Sequence, residues 1–575
     1  MLPEVSGLDR TFHYVVPEGW VAGDAGDLAR GAVPPGTMVR VPLGGRRVGG
    51  WVVEADITPD PGVSLRPLAK ITGVGPPDEV VDLARWAAHR WAGRLAPVLR
   101  AASPPRAVRR IGARRPLERT LPPVPDEVAD VFAGGVSTVR LPPGADRFGY
   151  ALAAARLGPS IIAVPTQAEA RRLAALLRRA GATVALLPDD WAASAGGACT
   201  VGARNACWAP VPDPAAVVVL DEHDDRYHNE RNPTWNTRDV LLERARRAGA
   251  PAVLVSPCPT LEALRAGELV TPSRAAERRG WPIVEIVDRR EEDPVRSGLY
   301  SEALVAHLRS DESVVCVVNR KGRARLVVCR RCGTTAGCAR CGAAVVLADA
   351  EVLRCERCGE ERPVVCLDCG SITLAARRIG VTRAREELEH LVGEPVGEVT
   401  GSGSKDHGVP SERVVVGTEA ALHRVTHTDV VAFLDLDQEL LAPRYRAAEQ
   451  ALALLALAGR RVGGRRRNGR LLLQTRLVDH EVVRAAVSAD PDLVATAEAA
   501  RRRVLRLPPE RALALVTGAG AERFALALEA LGAEVRGDDT QWLVAAADAD
   551  ELADLLAAAE RPEERIRVEV DPLRV

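Results

Sequence analysis

Lysine is almost missing from this 575-residue chain: it occurs only at Lys70, Lys321 and Lys405. A P-loop, G-x-x-x-x-G-K-[ST], needs a lysine beside the backbone N–H groups that cradle phosphates, and a hydroxyl to hold Mg²⁺. Lys70 lies in LAKITG, Lys321 in NRKGRA, and Lys405 stands between Ser404 and Asp406, so none belongs to such a motif. Aromatic residues make up only 3% of the chain, which argues against a surface that stacks unstacked RNA bases. No run of eighteen apolar residues occurs, so no membrane-spanning helix is expected. The opening MLPEVSGLDRTFHYV lacks the charged-then-apolar pattern of a secretory leader. Net charge is zero, so any nucleic-acid binding must use local patches. Two segments are dense in arginine: RAVRRIGARRPLER (106–119) and RRVGGRRRNGR (460–470).

What is present is cysteine in pairs. Eight of the twelve cysteines form four C-x-x-C pairs: Cys329/Cys332, Cys338/Cys341, Cys355/Cys358 and Cys366/Cys369. Two-residue spacing lets both thiolates of a pair meet one metal, and two pairs complete a tetrahedral Zn²⁺ site. Four pairs imply two zinc ions. Glycine follows the second cysteine of each pair and eases the turn. Disulfides are the bland alternative, but a chain this long does not need them as staples. The short loop between Cys332 and Cys338 is unfavourable for closing a site from the first two pairs. The longer stretch from Cys341 to Cys355 reads as a zinc-ribbon hairpin, Ala343–Leu347 against Glu351–Arg354. That favours a nested arrangement, with Cys338, Cys341, Cys355 and Cys358 inside and Cys329, Cys332, Cys366 and Cys369 outside, closing the neck. Cys199, Cys207, Cys258 and Cys316 have no pair spacing and read as buried small residues.

Length allows several domains. Residues 1–65 read as a small β-rich domain and 66–116 as a helical, winged-helix-like one, followed by the Pro-rich stretch 117–127. From 135 strands alternate with helices, as at Ser160–Val164, Val217–Leu220 and Ala252–Ser256, which implies a parallel sheet covered on both faces. A second such block contains Val314–Val318, is interrupted by the cysteine-rich insertion, and continues through Arg413–Val416, Val430–Asp435 and Leu471–Gln474. The expected fold class is multidomain α/β, with two helicase-like lobes at 117–285 and 286–480, the second carrying the insertion at 329–370, and a C-terminal α/β domain at 481–575.

Several runs resemble the PriA family of primosomal replication-restart proteins: NRKGRARLVVCRRCG (319–333) with CLDCGS (366–371), RTFHYVVPEG (10–19) with VRVPLG (39–44), VGARNACWAP (201–210), LDEHDDRYHNERNPTWNTRD (220–239), VVVGTEAAL (414–422), DLDQELLAPRYRAAEQ (435–450) and LLLQT (471–475). Their order agrees with the family along nearly the whole chain. The resemblance implies an N-terminal domain that takes the 3′ end of a nascent strand, with Tyr14 at a position that holds the terminal base. It also implies a loop after the Walker B motif in which Tyr227, Trp235 and Arg238 could stack on bases.

The nucleotide motifs depart from that family. At the Walker A position stands LPPGADRFGY (141–150): Gly144 matches a family glycine, Arg147 replaces the lysine, Phe148 the threonine, and Asp146 puts a negative charge among the expected phosphate donors. Asp221 and Glu222 remain of the acidic motif. The arginine-finger motif survives only in part within LALAGRRVGGRRR (455–467).

These departures lead to the expectation of no catalytic residues and no enzyme activity: a catalytically inactive relative of an ATP-dependent DNA helicase, with a degenerate nucleotide site near Gly144, Arg147, Asp221 and Glu222. Its role is then to bind stalled or abandoned forks and direct primosome assembly and helicase reloading. The resemblance implies forked and single-stranded DNA, the single-stranded DNA-binding protein, and primosome and helicase-loading components as partners, in the cytoplasm and near the nucleoid. The alternatives are a 3′→5′ helicase with an unorthodox nucleotide site, or a zinc-ribbon protein of transcription or RNA handling.

Overall fold

The structure is a computed structural model; it describes residues 1–5, 8–17, 33–58, 64–112, 121–290, 299–318, 327–332, 334–340, 342–348, 352–355, 358–376, 381–401, 410–538 and 540–574. Near the N-terminus the chain folds into a four-stranded antiparallel sheet in the order Leu2–Pro3, Arg46–Trp51, Met38–Leu43, Lys70–Gly73. Alternation drives it: Val39 and Val41 face inward while Arg40 is exposed. Lys70–Gly73 pairs with Met38–Leu43, so the sheet runs past the boundary expected at 65. The region expected to be winged-helix-like supplies that strand and two helices, Asp78–Arg90 and Leu95–Ala102. Val80, Leu83, Ala84 and Ala87 bury one face of the first helix, at the spacing that an amphipathic helix requires.

The first lobe is a seven-stranded parallel sheet in the order Glu268–Val270, Val136–Arg140, Ala252–Ser256, Ala216–Leu220, Ser160–Ala163, Cys199–Gly202, Val184–Leu186. Its central strands are buried throughout and rich in valine, as a sheet covered on both faces requires. The helix Gln167–Arg179 is started by Thr166, whose side chain accepts from Glu169 N and so satisfies one of the free donors of the first turn. The second lobe is a six-stranded parallel sheet in the order Ile283–Asp288, Arg470–Thr475, Val430–Phe433, Val314–Val317, Val414–Gly417, Gly397–Val399. Its edge strand starts at Ile283, so the change of lobe falls just ahead of the expected position at 286.

The cysteine-rich insertion leaves the second lobe after Val314–Val317. Val327–Cys329 pairs with Leu374–Ala376 at its neck, and Val345–Leu347, Val352–Cys355 and Glu361–Pro363 form a three-stranded sheet at its tip. The C-terminal domain is a four-stranded antiparallel sheet, Glu534–Gly537, Gln541–Ala546, Ala512–Gly518 and Ile566–Val570, with helices Ala521–Ala530 and Ala549–Ala558. One continuous apolar core joins this domain to the N-terminal helices and to one face of the first lobe, through Trp51, Trp91, Trp208, Phe524 and Val570 among others. Among the described residues, no helix is long and apolar enough to cross a membrane.

Candidate nucleic-acid interface, metal sites and interlobe cleft

The N-terminal sheet presents a basic face. The hairpin turns at Gly44 and Gly45, both at positive φ, and exposes Arg40, Arg46 and Arg47. Arg40 lies opposite Lys70. The bridge between Val74 and Val108 brings Arg106, Arg109 and Arg110 to the same sheet. None of these seven cations has an ion-pair partner among the described residues. Tyr14 pairs with Arg66 in a short parallel ladder and donates its hydroxyl to Pro42 O at 3.0 Å. Burial pushes its pKa up and Arg66 partly opposes that. Tyr14 is thus half-buried beside the basic face, and His13 next to it is exposed.

Cys329, Cys332, Cys366 and Cys369 come together with all sulfurs within 4.8 Å of one another, as do Cys338, Cys355 and Cys358; Cys341 lies outside the described residues. Sulfur–sulfur separations are 3.6 Å for Cys329–Cys369 and 3.5 Å for Cys332–Cys366 and Cys338–Cys358. A tetrahedron with Zn–S bonds of about 2.3 Å has edges of about 3.8 Å, so the sulfurs fit the ion. Three of the pairs share one turn. Gly342, Gly359 and Gly370 lie at φ 70–72° and donate N–H to the carbonyls of Cys338, Cys355 and Cys366 at 2.9–3.0 Å. A side chain at those positions would be strained.

Between the lobes, Arg147 stands at the start of the helix Phe148–Leu157 and reaches Asp221 at the end of the strand Ala216–Leu220. From the second lobe Arg460 grips the same carboxylate with both nitrogens, each at 2.6 Å. Burial acts to raise the Asp221 pKa, but Arg147 and Arg460 outweigh it and hold the carboxylate well below its usual range. Glu222 accepts from Thr260 N at 2.8 Å and Thr260 Oγ at 3.0 Å and faces Arg238; burial nevertheless pushes its pKa up. Gly144 sits in the turn before Arg147, and its N–H donates to Gly280 O at 2.9 Å. A cavity of about 360 Å³ opens beside Asp221, lined in part by Glu169, Arg204, His223, Glu419 and Gln450. Behind it Arg446 of the second lobe pairs with Glu262 of the first, and the fully buried Arg502, on the helix Asp492–Leu505, reaches Glu262 at 3.6 Å as well as Glu449.

The segment after the acidic pair corrects the expectation of stacking residues. Tyr227, Trp235 and Arg238 are 0%, 5% and 6% exposed. Tyr227 donates to Leu220 O at 2.6 Å, Trp235 packs edge-on against Trp208, and Arg238 is held by Glu222, Asp239 and Thr260. These side chains build the core and are closed to bases. The last strand clasps the segment: Thr234 Oγ donates to Val570 O at 2.9 Å, and Asn232 to Val568 O at 3.3 Å. Just beyond, Asp571 takes Arg90 at 2.8 Å and Trp91 at 3.1 Å, while Tyr445 donates to Pro572 O at 3.3 Å. Sequence reasoning had no signal for this clasp, which joins residues more than three hundred positions apart.

Two parallel sheets in tandem, an acidic pair facing an arginine of the second lobe, and a cysteine-rich insertion define a helicase-like protein of two lobes. The model of the PriA 3′DNA-binding domain (3′BD) matches residues 2–104. The replication restart protein PriA of Bacillus subtilis is 28% identical over 345 residues, 55% of this chain and 43% of that protein. PriA of Haemophilus influenzae is 25% identical, over 57% and 48%. The chain is similar to the PriA replication restart proteins, and the matches span about half of their length. Among solved structures, a DEAD box protein from Methanococcus jannaschii aligns with TM-score 0.32 and 11% identity, covering 66% of this chain and 91% of that one. The Escherichia coli DExH-box NTPase HrpB aligns with TM-score 0.33 and 14% identity, covering 64% and 42%.

These comparisons overturn the expectation that the chain is not an enzyme. The proteins it resembles are replication restart proteins, and that likeness gives no grounds for inactivity. The cleft itself shows why lost motifs misled: Asp221, Glu222 and an arginine from each lobe still converge there.

Proposed function

We propose that this protein binds forked or 3′-tailed DNA and directs reassembly of the replication machinery there, with the single-stranded DNA-binding protein and the loader of the replicative helicase as partners. The observation that carries the reading is the basic face of the N-terminal sheet, without ion-pair partners among the described residues, on the segment that matches the 3′ DNA-binding domain. The two cysteine clusters hold two structural zinc ions, each closed by four thiolates and so without a catalytic position.

The test is a binding series on forks with and without a 3′ nascent end. Arg40→Ala/Lys70→Ala is expected to weaken binding and to reduce the salt slope by about 2, because each phosphate contact contributes roughly 0.9. Tyr14→Ala should cost more on the fork with a free 3′ end than on the one without, and Tyr14→Phe should separate the ring from its bond to Pro42. No preference for a 3′ end in the unaltered protein would sink the reading.

A second reading concerns the cleft, and the convergence of Arg147 and Arg460 on Asp221 favours it. Both guanidiniums would exchange the carboxylate for the phosphates of a nucleoside triphosphate, leaving Asp221 to hold magnesium and Glu222 to orient water. DNA-stimulated ATP turnover that Asp221→Asn abolishes is the expected result. Turnover that survives in that variant would place the chemistry elsewhere.

A further inference from the structure

The second arginine-rich segment of the chain opens with Arg460, which grips Asp221, but its later arginines have no part in that grip or in the N-terminal face. Its residues Arg465–Arg467 form a short 3₁₀ turn, and all three side chains are exposed. This turn packs against the end of the helix Arg274–Gly280, where Arg278 and Arg279 are also exposed. The backbone between them is fixed. Arg465 N donates to Trp281 O at 3.1 Å, Arg467 N to Gly464 O at 2.9 Å, and Trp281 is fully buried. The turn before Arg147 meets them at the same place. A side chain on Gly144 would come within 2.8 Å of Gly464 N and 2.9 Å of Gly280 O, so glycine there lets three turns from both lobes touch.

We infer that this seam carries a second phosphate-binding surface, formed by Arg278, Arg279, Arg465, Arg466 and Arg467, which takes the phosphodiester backbone of DNA. The inference rests on the DNA-binding reading above and adds a separate contact to it. Several exposed arginines elsewhere in this neutral chain find acids, as Arg246 does with Glu243, Arg290 with Asp288, Arg383 with Glu387 and Arg536 with Glu534. The five at the seam have no ion-pair partner among the described residues. The nearby acids are engaged: Glu277 is buried against Arg140 and Trp281, and Asp146 accepts from Phe148 N. Five guanidiniums on a rigid backbone match phosphate oxygens in charge and in their forked geometry. A membrane surface or an acidic peptide with an apolar tail would also need exposed apolar side chains. Neither element offers a large one.

The experiment uses the full chain and compares a blunt duplex with a fork carrying a free 3′ end, each titrated with salt. Arg465→Ala/Arg466→Ala/Arg467→Ala is expected to lose about tenfold or more in affinity for both, with a salt slope lower by about 3. Its preference for the 3′ end should stay intact. Arg278→Ala/Arg279→Ala, on the neighbouring element, should lower the slope by about 2, and the triple lysine variant should keep it. An unchanged slope and affinity in both alanine variants would overturn the inference. So would a loss confined to binding of a polyglutamate peptide, which would make the surface a protein-docking patch. If the unaltered protein shows no 3′-end preference while the triple variant still loses its slope, the end-binding reading fails and the seam surface stands.

Discussion

Metal analysis of protein purified without chelator is expected to return two zinc ions per chain, and chelation is expected to unfold the insertion while the lobes stay folded. Apparent free energies of structural zinc run to roughly 10–16 kcal/mol, far more than the few apolar side chains at the tip could supply. Val327, Cys338, Val345, Leu353 and Cys355 make up most of that core. The two sites should differ in reach. Cys366→Ser opens the cluster beside the strand pair Val327–Cys329 and Leu374–Ala376, so hydrogen exchange should rise at the neck and everything beyond it. Cys355→Ser breaks the cluster that anchors the three-stranded tip, and faster exchange should stop there. One zinc or none, or the two patterns reversed, would refute the nested assignment.

The second large effect is expected from Asp221→Asn. The substitution keeps shape and removes charge, leaving two guanidiniums facing each other in the cleft. Breaking a buried pair in this way costs about 3–5 kcal/mol. Because one arginine comes from each lobe, the loss should appear as weaker docking of the lobes, read by denaturant unfolding and by exchange on both sides of the seam. Arg147→Met should cost less, since Arg460 keeps its two-pronged grip. The sign with pH follows from the depressed carboxylate. Its contribution is complete above the unfolded value of about 3.9 and is lost as pH falls below that toward the lower folded value. Unfolding curves of the parent and Asp221→Asn should therefore converge in acid. Curves that stay parallel from neutral pH down to strong acid would show that the charge is not what matters.

How much of this the sequence disclosed depends on the distance over which each feature is written. Val217–Leu220 and Ala252–Ser256 were legible because a buried parallel strand is an uninterrupted apolar run between polar loops. The cysteine pairs were legible because two-residue spacing is itself the ligand geometry. The edge strand Ile283–Asp288 was not: a polar residue interrupts it at Glu285, and its only strand partner among the described residues is Arg470–Thr475. The partners of Asp221 were hidden for a similar reason, since Arg147 and Arg460 lie 74 and 239 residues away. Reading Arg147 as a failed lysine missed what it binds. Tyr227 and Trp235 misled through their residue type, because an aromatic suited to stacking on a base is equally suited to a core.

The strand Ile566–Val570 and the turn behind it also bear on the order in which the protein is made. Arg90 ends the first helix of the N-terminal domain and Trp91 follows it, yet Asp571, which both of them bond, lies 481 and 480 residues further along. The apolar core is shared in the same way, with Trp91 at one end of the chain and Val570 at the other. While the ribosome is still building the lobes, the N-terminal helices have no partner for that surface, and contacts so distant in sequence close slowly. A nascent chain stopped before the last strand should therefore expose tryptophan-rich surface to chaperones, and protection of the first helix from protease should arrive only when the final strand leaves the exit tunnel.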